Sequence, residues 1–200
     1  TIGNITFFGS ENGDISKQQG STFGPPISTL ANKAVNDIAI IGNVAYAVGD
    51  NGSIRKTENI TGTAWNEQIN QFKPDKITAS TKAPNGTLFA VTETGTIGKS
   101  TDDGASWMFL SQQTDRLNSI HFISDMNGIA VGDGVVLTTS DGGLTWPPVT
   151  AGVPNIDFKA VSMVSDNKAY LIANSGIIYL YNGTIFENVS ISGITTNLNS

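Results

Sequence analysis

Strand-length apolar runs broken by polar, glycine-bearing turns recur along the whole chain, and five of them align when written beneath one another. The first is Phe7-Phe8-Gly9-Ser10-Glu11-Asn12-Gly13-Asp14-Ile15; the others are residues 46–54, 89–97, 129–136 and 170–178. Each reads as strand, tight turn, strand. The dipeptides Asn12-Gly13, Asn51-Gly52, Thr94-Gly95, Asp133-Gly134 and Ser175-Gly176 place a residue tolerant of positive φ before a glycine, the pair a two-residue hairpin turn requires. No segment carries a sustained 3.6-residue apolar stripe, so the pattern predicts essentially no helix.

The turn glycines Gly13, Gly52, Gly95, Gly134 and Gly176 recur about every 40 residues, the period of a four-stranded propeller blade. A second column keeps that period: Phe23, Trp65, Trp107, Trp146 and Phe186, of which the three tryptophans are expected to be largely buried. Further β-like runs at 38–41, 77–79, 120–123 and 161–164 supply an innermost strand per repeat. The expected fold is all-β: one domain over residues 1–200, a five-bladed β-propeller of four-stranded antiparallel blades. Its repeats fall at about 1–28, 29–70, 71–111, 112–150 and 151–190. Residues from Phe186 to the C-terminus and from Thr1 to Phe23 together make about one more repeat. Leu198-Asn199-Ser200 also repeats Leu117-Asn118-Ser119. The segment 191–200, from about Ile194, is therefore expected to supply or extend the inner strand of the first blade, closing the ring by pairing of the N- and C-terminal segments.

The loop before each aromatic carries the strongest local motif. Ser100-Thr101-Asp102-Asp103-Gly104-Ala105-Ser106-Trp107 and Thr139-Ser140-Asp141-Gly142-Gly143-Leu144-Thr145-Trp146 both fit Ser/Thr-x-Asp-x-Gly-x-Ser/Thr-Trp. Such a turn caps itself: carboxylate and hydroxyl bond nearby backbone N–H groups, glycine permits left-handed φ, and the aromatic covers the turn. Ser100, Asp102, Gly104 and Trp107, with Thr139, Asp141, Gly143 and Trp146, are assigned this structural role. The other three repeats keep the frame with altered chemistry, as in Ser16, Gln18, Gly20 and Phe23. These segments resemble the BNR/Asp-box propellers, and more narrowly the photosystem II assembly factor-like branch. The resemblance implies a propeller with sialidase-type repeats. It leaves function open, because Asp-box propellers include sialidases, other glycosidases, sorting receptors and assembly factors.

Composition narrows the chemistry. Eleven basic against 17 acidic side chains give a net charge of −6, with the basic residues scattered singly. That argues against a phosphate-tracking role, so no nucleic acid is expected as a partner. No apolar run approaches a membrane span, so no membrane insertion is expected. Without cysteine, a disulfide framework, a thiolate nucleophile and a Cys-based zinc site are excluded. With one histidine and no EF-type loop spacing at Asp102-Asp103 or Asp141, neither metal nor cofactor is expected. The chain starts at Thr1 without a signal-type segment, which fits a removed signal peptide or an excised piece, and secretion is the expectation.

Sialidases clamp the substrate carboxylate with three arginines, and this chain has two, Arg55 and Arg116. A glycosidase needs two carboxylates facing one sugar. Glu11, Asp50, Glu93 and Asp133 occupy equivalent turns and would ring one face of the disc, the candidate ligand-binding set. Solvated turn acids are the plainer reading of the same residues. His121 lies on an inner strand in register with Ala39, Thr78 and Ser162, a polar residue near the centre of the disc. Six Asn-x-Ser/Thr sequons start at Asn4, Asn51, Asn59, Asn85, Asn182 and Asn188. The sequence thus points to a non-catalytic binding or assembly module, extracellular or displayed on a cell surface, virion or appendage, contacting a protein partner through a loop face. A lectin-like propeller binding a surface glycan is the alternative, and a glycoside hydrolase using the acidic turn face the third reading.

Overall fold

The computed structural model describes residues 5–28, 33–68, 75–112 and 115–190. Among them no α-helix forms, and helical hydrogen bonding is confined to two three-residue 3-10 turns, Asp50–Gly52 and Asn174–Gly176. The strands build five antiparallel sheets. The first holds β1 (Ile5–Gly9), β2 (Asp14–Gln19), β3 (Thr22–Phe23) and β4 (Ile27–Ser28), the last two both pairing with β2. The second is β5 (Val35–Ile41), β6 (Val44–Gly49), β7 (Ile54–Thr57) and β8 (Asn66–Glu67). The third is β9 (Ile77–Lys82), β10 (Leu88–Thr92), β11 (Thr96–Ser100) and β12 (Met108–Gln112).

Three strands form the fourth sheet, β13 (Leu117–Phe122), β14 (Gly128–Gly132) and β15 (Val136–Thr139), with one isolated bridge from Leu137 to Pro148 in the outer position. Pro147 and Pro148 lack N–H groups, which is why no full ladder forms there. The fifth sheet is β16 (Phe158–Ser165), β17 (Lys168–Ala173), β18 (Ile178–Tyr181) and β19 (Phe186–Asn188). Strands of the second to fifth sheets follow chain order, so each sheet is a meander, and β5, β9, β13 and β16 lie side by side as inner strands.

The turns and the first sheet show how the expected repeat is built. At the glycine turns three or four residues separate the paired strands. Asn51 and Ser175 take left-handed φ of 53° and 60°, and Gly52 and Gly176 follow at 61° and 72°, while Ser53 N and Ile177 N donate to the Asp50 and Asn174 carbonyls at 3.1 and 3.4 Å, the geometry of the expected two-residue turn. In the first sheet β1 holds the place that β6, β10, β14 and β17 hold elsewhere, and no described residue pairs along its inner side. The closing segment expected there, 194–200, lies outside the described residues.

Alternation along each strand sends one row of side chains towards the preceding sheet and one towards the next. Four apolar clusters result. Ile5, Phe7 and Ile15 meet Ala45, Ala47 and Trp65 between sheets one and two. Tyr46, Val48 and Ile54 meet Ile77, Leu88 and Ala90 between two and three. Phe89, Val91 and Ile97 meet Leu117, Phe122 and Trp146 between three and four. Ile129, Val131 and Val136 meet Phe158, Met163 and Leu171 between four and five. Among the described residues no such cluster joins the fifth sheet to the first.

Candidate functional site

Hairpin turns between the second and third strands of each sheet gather on one face, and the four sequence-selected acids lie there. The structure joins three of them to cations that the sequence pattern did not pair with them. Asp50 Oδ1 lies 3.2 Å from Lys76 Nζ, Glu93 Oε2 lies 3.8 Å from Arg116 Nη1, and Asp133 Oδ1 lies 3.3 Å from Lys159 Nζ. In each case the acid belongs to one sheet and the cation to the start of the next sheet's inner strand. The carboxylates are therefore distributed one per junction, each with its own counter-ion. Glu11 is exposed, and no ion pair reaches it among the described residues. The acidic set also omitted Asp75 and Asp157 at the same junctions; Thr94 Oγ1 donates to Asp75, and Asp157 lies 3.8 Å from Lys159.

Beneath the ion pairs a second set of contacts repeats. Asn36 Nδ2 donates to Asp50 Oδ1 at 3.2 Å and to the Ile77 carbonyl of the next sheet at 2.8 Å. Asn118 Nδ2 does the same with Asp133 Oδ1 at 2.7 Å and the Phe158 carbonyl at 2.9 Å. In the sheet between them Thr78 Oγ1 donates to the Leu117 carbonyl at 2.6 Å. Further along the inner strands the direction reverses. Asp37 Oδ2 accepts from Ser80 N at 2.7 Å, Ser119 Oγ from Val161 N at 3.3 Å, and His121 Nδ1 from Met163 N at 3.1 Å. Burial pushes the Asp37 carboxyl up and the His121 imidazole down from their ordinary values. His121 pairs opposite Ile129, as Thr81 does with Phe89, so it is level with Thr81 and not Thr78. Among the described residues no group of His, Asp or Glu side chains is placed to hold a metal ion.

The opposite face carries the Ser/Thr-x-Asp turns. Asp102 Oδ1 accepts from Ser100 Oγ and Ser106 N, both at 2.8 Å, and Oδ2 from Ser106 Oγ at 2.5 Å. Ser100 Oγ in turn accepts from Gly104 N at 2.8 Å, and Trp107 Nε1 donates to the Gly104 carbonyl at 3.2 Å. Asp141 takes Thr139 Oγ1, Leu144 N, Thr145 N and Thr145 Oγ1 at 2.6–3.0 Å, while Gly143 N donates to Thr139 Oγ1 at 2.9 Å. These donors hold the Asp102 carboxyl down to about 2 and Asp141 lower still. Trp146 is buried as expected, whereas Trp65 and Trp107 are only half-buried; Phe23, the aromatic of the first repeat, is 63% exposed. Phe23 lies on the side of the first sheet that no other described sheet covers.

Two asparagines take the carboxylate's place in the altered repeats. Asn59 Oδ1 accepts from Thr61 N and Oγ1 at 3.0 and 2.6 Å, and Asn182 Oδ1 from Thr184 N, Thr184 Oγ1 and Ile185 N at 3.0–3.2 Å. Their Asn-x-Thr spacing, met in the sequence as sequons, is the visible signal of these turns. Three of the four turns are then gripped by the preceding sheet. Lys17 Nζ donates to the Thr61 carbonyl, Tyr46 OH to Asp103 and Lys99 Nζ to Gly142, all at 2.7 Å.

Stacked four-stranded meanders, inner strands side by side and turns on two faces define a β-propeller fold. Solved structures agree. The chain is similar to YCF48 bound to D1 peptide, with a TM-score of 0.73 and 19% identity over 94% of this chain and 64% of that one. It is similar to the computationally designed Ika8 protein, with a TM-score of 0.74 and 15% identity over 98% and 61%. An ancestral GH74 enzyme superposes with a TM-score of 0.65 and 22% identity over 79% and 24%. The chain thus spans a little under two thirds of the first two chains. No protein-family description matches the sequence, and no curated protein is similar to it.

Proposed function

We propose that this chain is an Asp-box-type propeller, of the photosystem II assembly factor-like kind, working as a non-catalytic protein-binding module outside the cell or on a surface. The observation that carries the reading is the series Asp50–Lys76, Glu93–Arg116 and Asp133–Lys159. A glycosidase brings two carboxylates to one bond and raises the pKa of one by apolar burial. Here the carboxylates stand at separate junctions, each beside a cation, on a half-exposed face. An arginine clamp is further disfavoured because Arg55 is buried between the first two sheets, where Nη1 donates to the Gly13 carbonyl at 3.1 Å. What remains is a face of alternating charges and side-chain amides, suited to a peptide's main chain and charged side chains. That YCF48 was solved with a peptide supports the reading by analogy of fold.

The test is to pan a phage-displayed random peptide library against the protein and assay a set of aryl glycosides in parallel. Enriched peptides that bind the wild type and lose at least about tenfold in affinity to Lys76→Glu with Arg116→Glu are the expected result. Glycoside hydrolysis abolished by Glu93→Gln would overturn it, as would an absence of enriched peptides.

A further inference from the structure

At four positions in the fold the same side-chain row is sealed. Phe7, Tyr46, Phe89 and Ile129 point from their sheets towards the next and are at most 9% exposed; Val48, Val91 and Val131, and the post-turn residues Ile15, Ile54, Ile97 and Val136, are buried beside them. The fifth sheet repeats that row as Tyr170, Ile172 and Ile178, apolar in every position. Yet Tyr170 is 41% exposed, and Ile172 and Ile178 are only partly covered. At the other end of the stack Phe8, level with the buried Ala47, Ala90, Ala130 and Leu171, is 45% exposed and leans on Phe23 with ring centroids 5.8 Å apart. Both uncovered faces continue an interface type that the molecule already builds four times.

We infer that the outward face of the fifth sheet is a docking face for further blades of the same repeat type, about three of which complete a ring that ends on the Phe8 face. The chain superposes over 94% and 98% of its length on chains of which it spans 64% and 61%. The part of those chains beyond the superposed stretch, a little over a third of each, is the length of about three further repeats of some 40 residues. Tyr170 and Phe8 are both left exposed, and among the described residues no apolar cluster joins their sheets, so neither face seals the other. A second copy docked head to tail brings five sheets to a gap sized for about three, and the surplus collides with the first copy. The occupant fitting the space is a block of blades whose first sheet offers small apolar residues and an edge aromatic, as the second sheet offers Ala45, Ala47 and Trp65 to Phe7.

The experiment appends a second copy of residues 29–150, the second to fourth repeats, after residue 190, and compares it with the 200-residue chain. In the latter Tyr170→Glu replaces an exposed side chain and moves the melting temperature by no more than about 2 °C; in the eight-repeat chain it buries a charge and lowers it by at least about 5 °C. Without any substitution, the fluorescence of 8-anilinonaphthalene-1-sulfonate bound to the 200-residue chain falls several-fold in the eight-repeat chain. A large Tyr170→Glu effect in the 200-residue chain would mean that the face is already sealed, as in a ring of five closed on itself, and would overturn the inference. Equal small effects in both chains, with unchanged dye fluorescence, would overturn it as well.

Discussion

Asn118 reaches out of its own sheet and donates to the main-chain carbonyl of Phe158, 2.9 Å away on the inner strand of the next. The same amide nitrogen holds Asp133 at 2.7 Å, so one side chain ties a turn, its own strand and a neighbouring sheet. Replacing Asn118 by Leu leaves the Phe158 carbonyl and an Asp133 oxygen without that donor. The expected cost is about 1–3 kcal/mol, read as a lower midpoint in urea with an unchanged slope. An unaltered midpoint would show that the amide is not a structural tie.

The two Ser/Thr-x-Asp turns tie stability to acid pH. In the fold Asp102 titrates at about 2 and Asp141 lower, against 3.8 for an unperturbed carboxyl. Between those values the unfolded chain binds more protons, so the turns' contribution is present above about pH 4 and lost as pH falls towards 2 and below. The Asp102→Asn, Asp141→Asn double variant is expected to melt lower than wild type at pH 7. The gap should narrow steadily in scans from pH 4 to pH 2; a constant gap would refute the assignment.

His121 makes the corresponding statement nearer neutrality. Its Nδ1 accepts the Met163 N–H at 3.1 Å, which requires the neutral ring with its proton on Nε2, and burial lowers its pKa below 6.5. The unfolded chain takes up the proton first, so stability falls as pH drops from about 6.5 through the folded value. Nitrogen-15 NMR is expected to show the Nε2–H tautomer and a midpoint below 6.5. A midpoint above 6.5 would contradict the bond.

Gly20 and Gly143 both have left-handed φ, 61° and 77°, but differ in surroundings. A Cβ on Gly20 meets nothing within 4 Å, whereas one on Gly143 lies 2.4 Å from Phe89 Cε1 of the preceding sheet. Gly20→Ala should cost the backbone strain alone, about 1–2 kcal/mol. Gly143→Ala should add roughly 1–3 kcal/mol of overpacking and shift the Phe89 ring resonances. Equal costs would show that the third and fourth sheets separate readily there.

The repeat was legible because two independent constraints, a turn glycine and an aromatic, recur at fixed spacing. The cations were not legible: Lys76 and Arg116 end joining loops of dissimilar sequence and Lys159 lies near the start of β16, and a junction needs only a positive charge within reach, carried on Lys or Arg at slightly different offsets. Asn59 and Asn182 were hidden for a related reason, since an amide oxygen accepts the same turn N–H groups as a carboxylate, so the motif survived in geometry after its letter had changed. Exposure of Phe23 could not be read either, because burial depends on which sheet faces it and not on its place in the repeat.

Every tie between sheets described above, whether ion pair, amide bridge or lysine grip, links a sheet to its immediate neighbour in the chain. Load applied to the two ends would therefore be borne by the junctions in turn. The molecule should peel apart one blade at a time, each rupture releasing about 40 residues, and damage at one junction would leave the others intact.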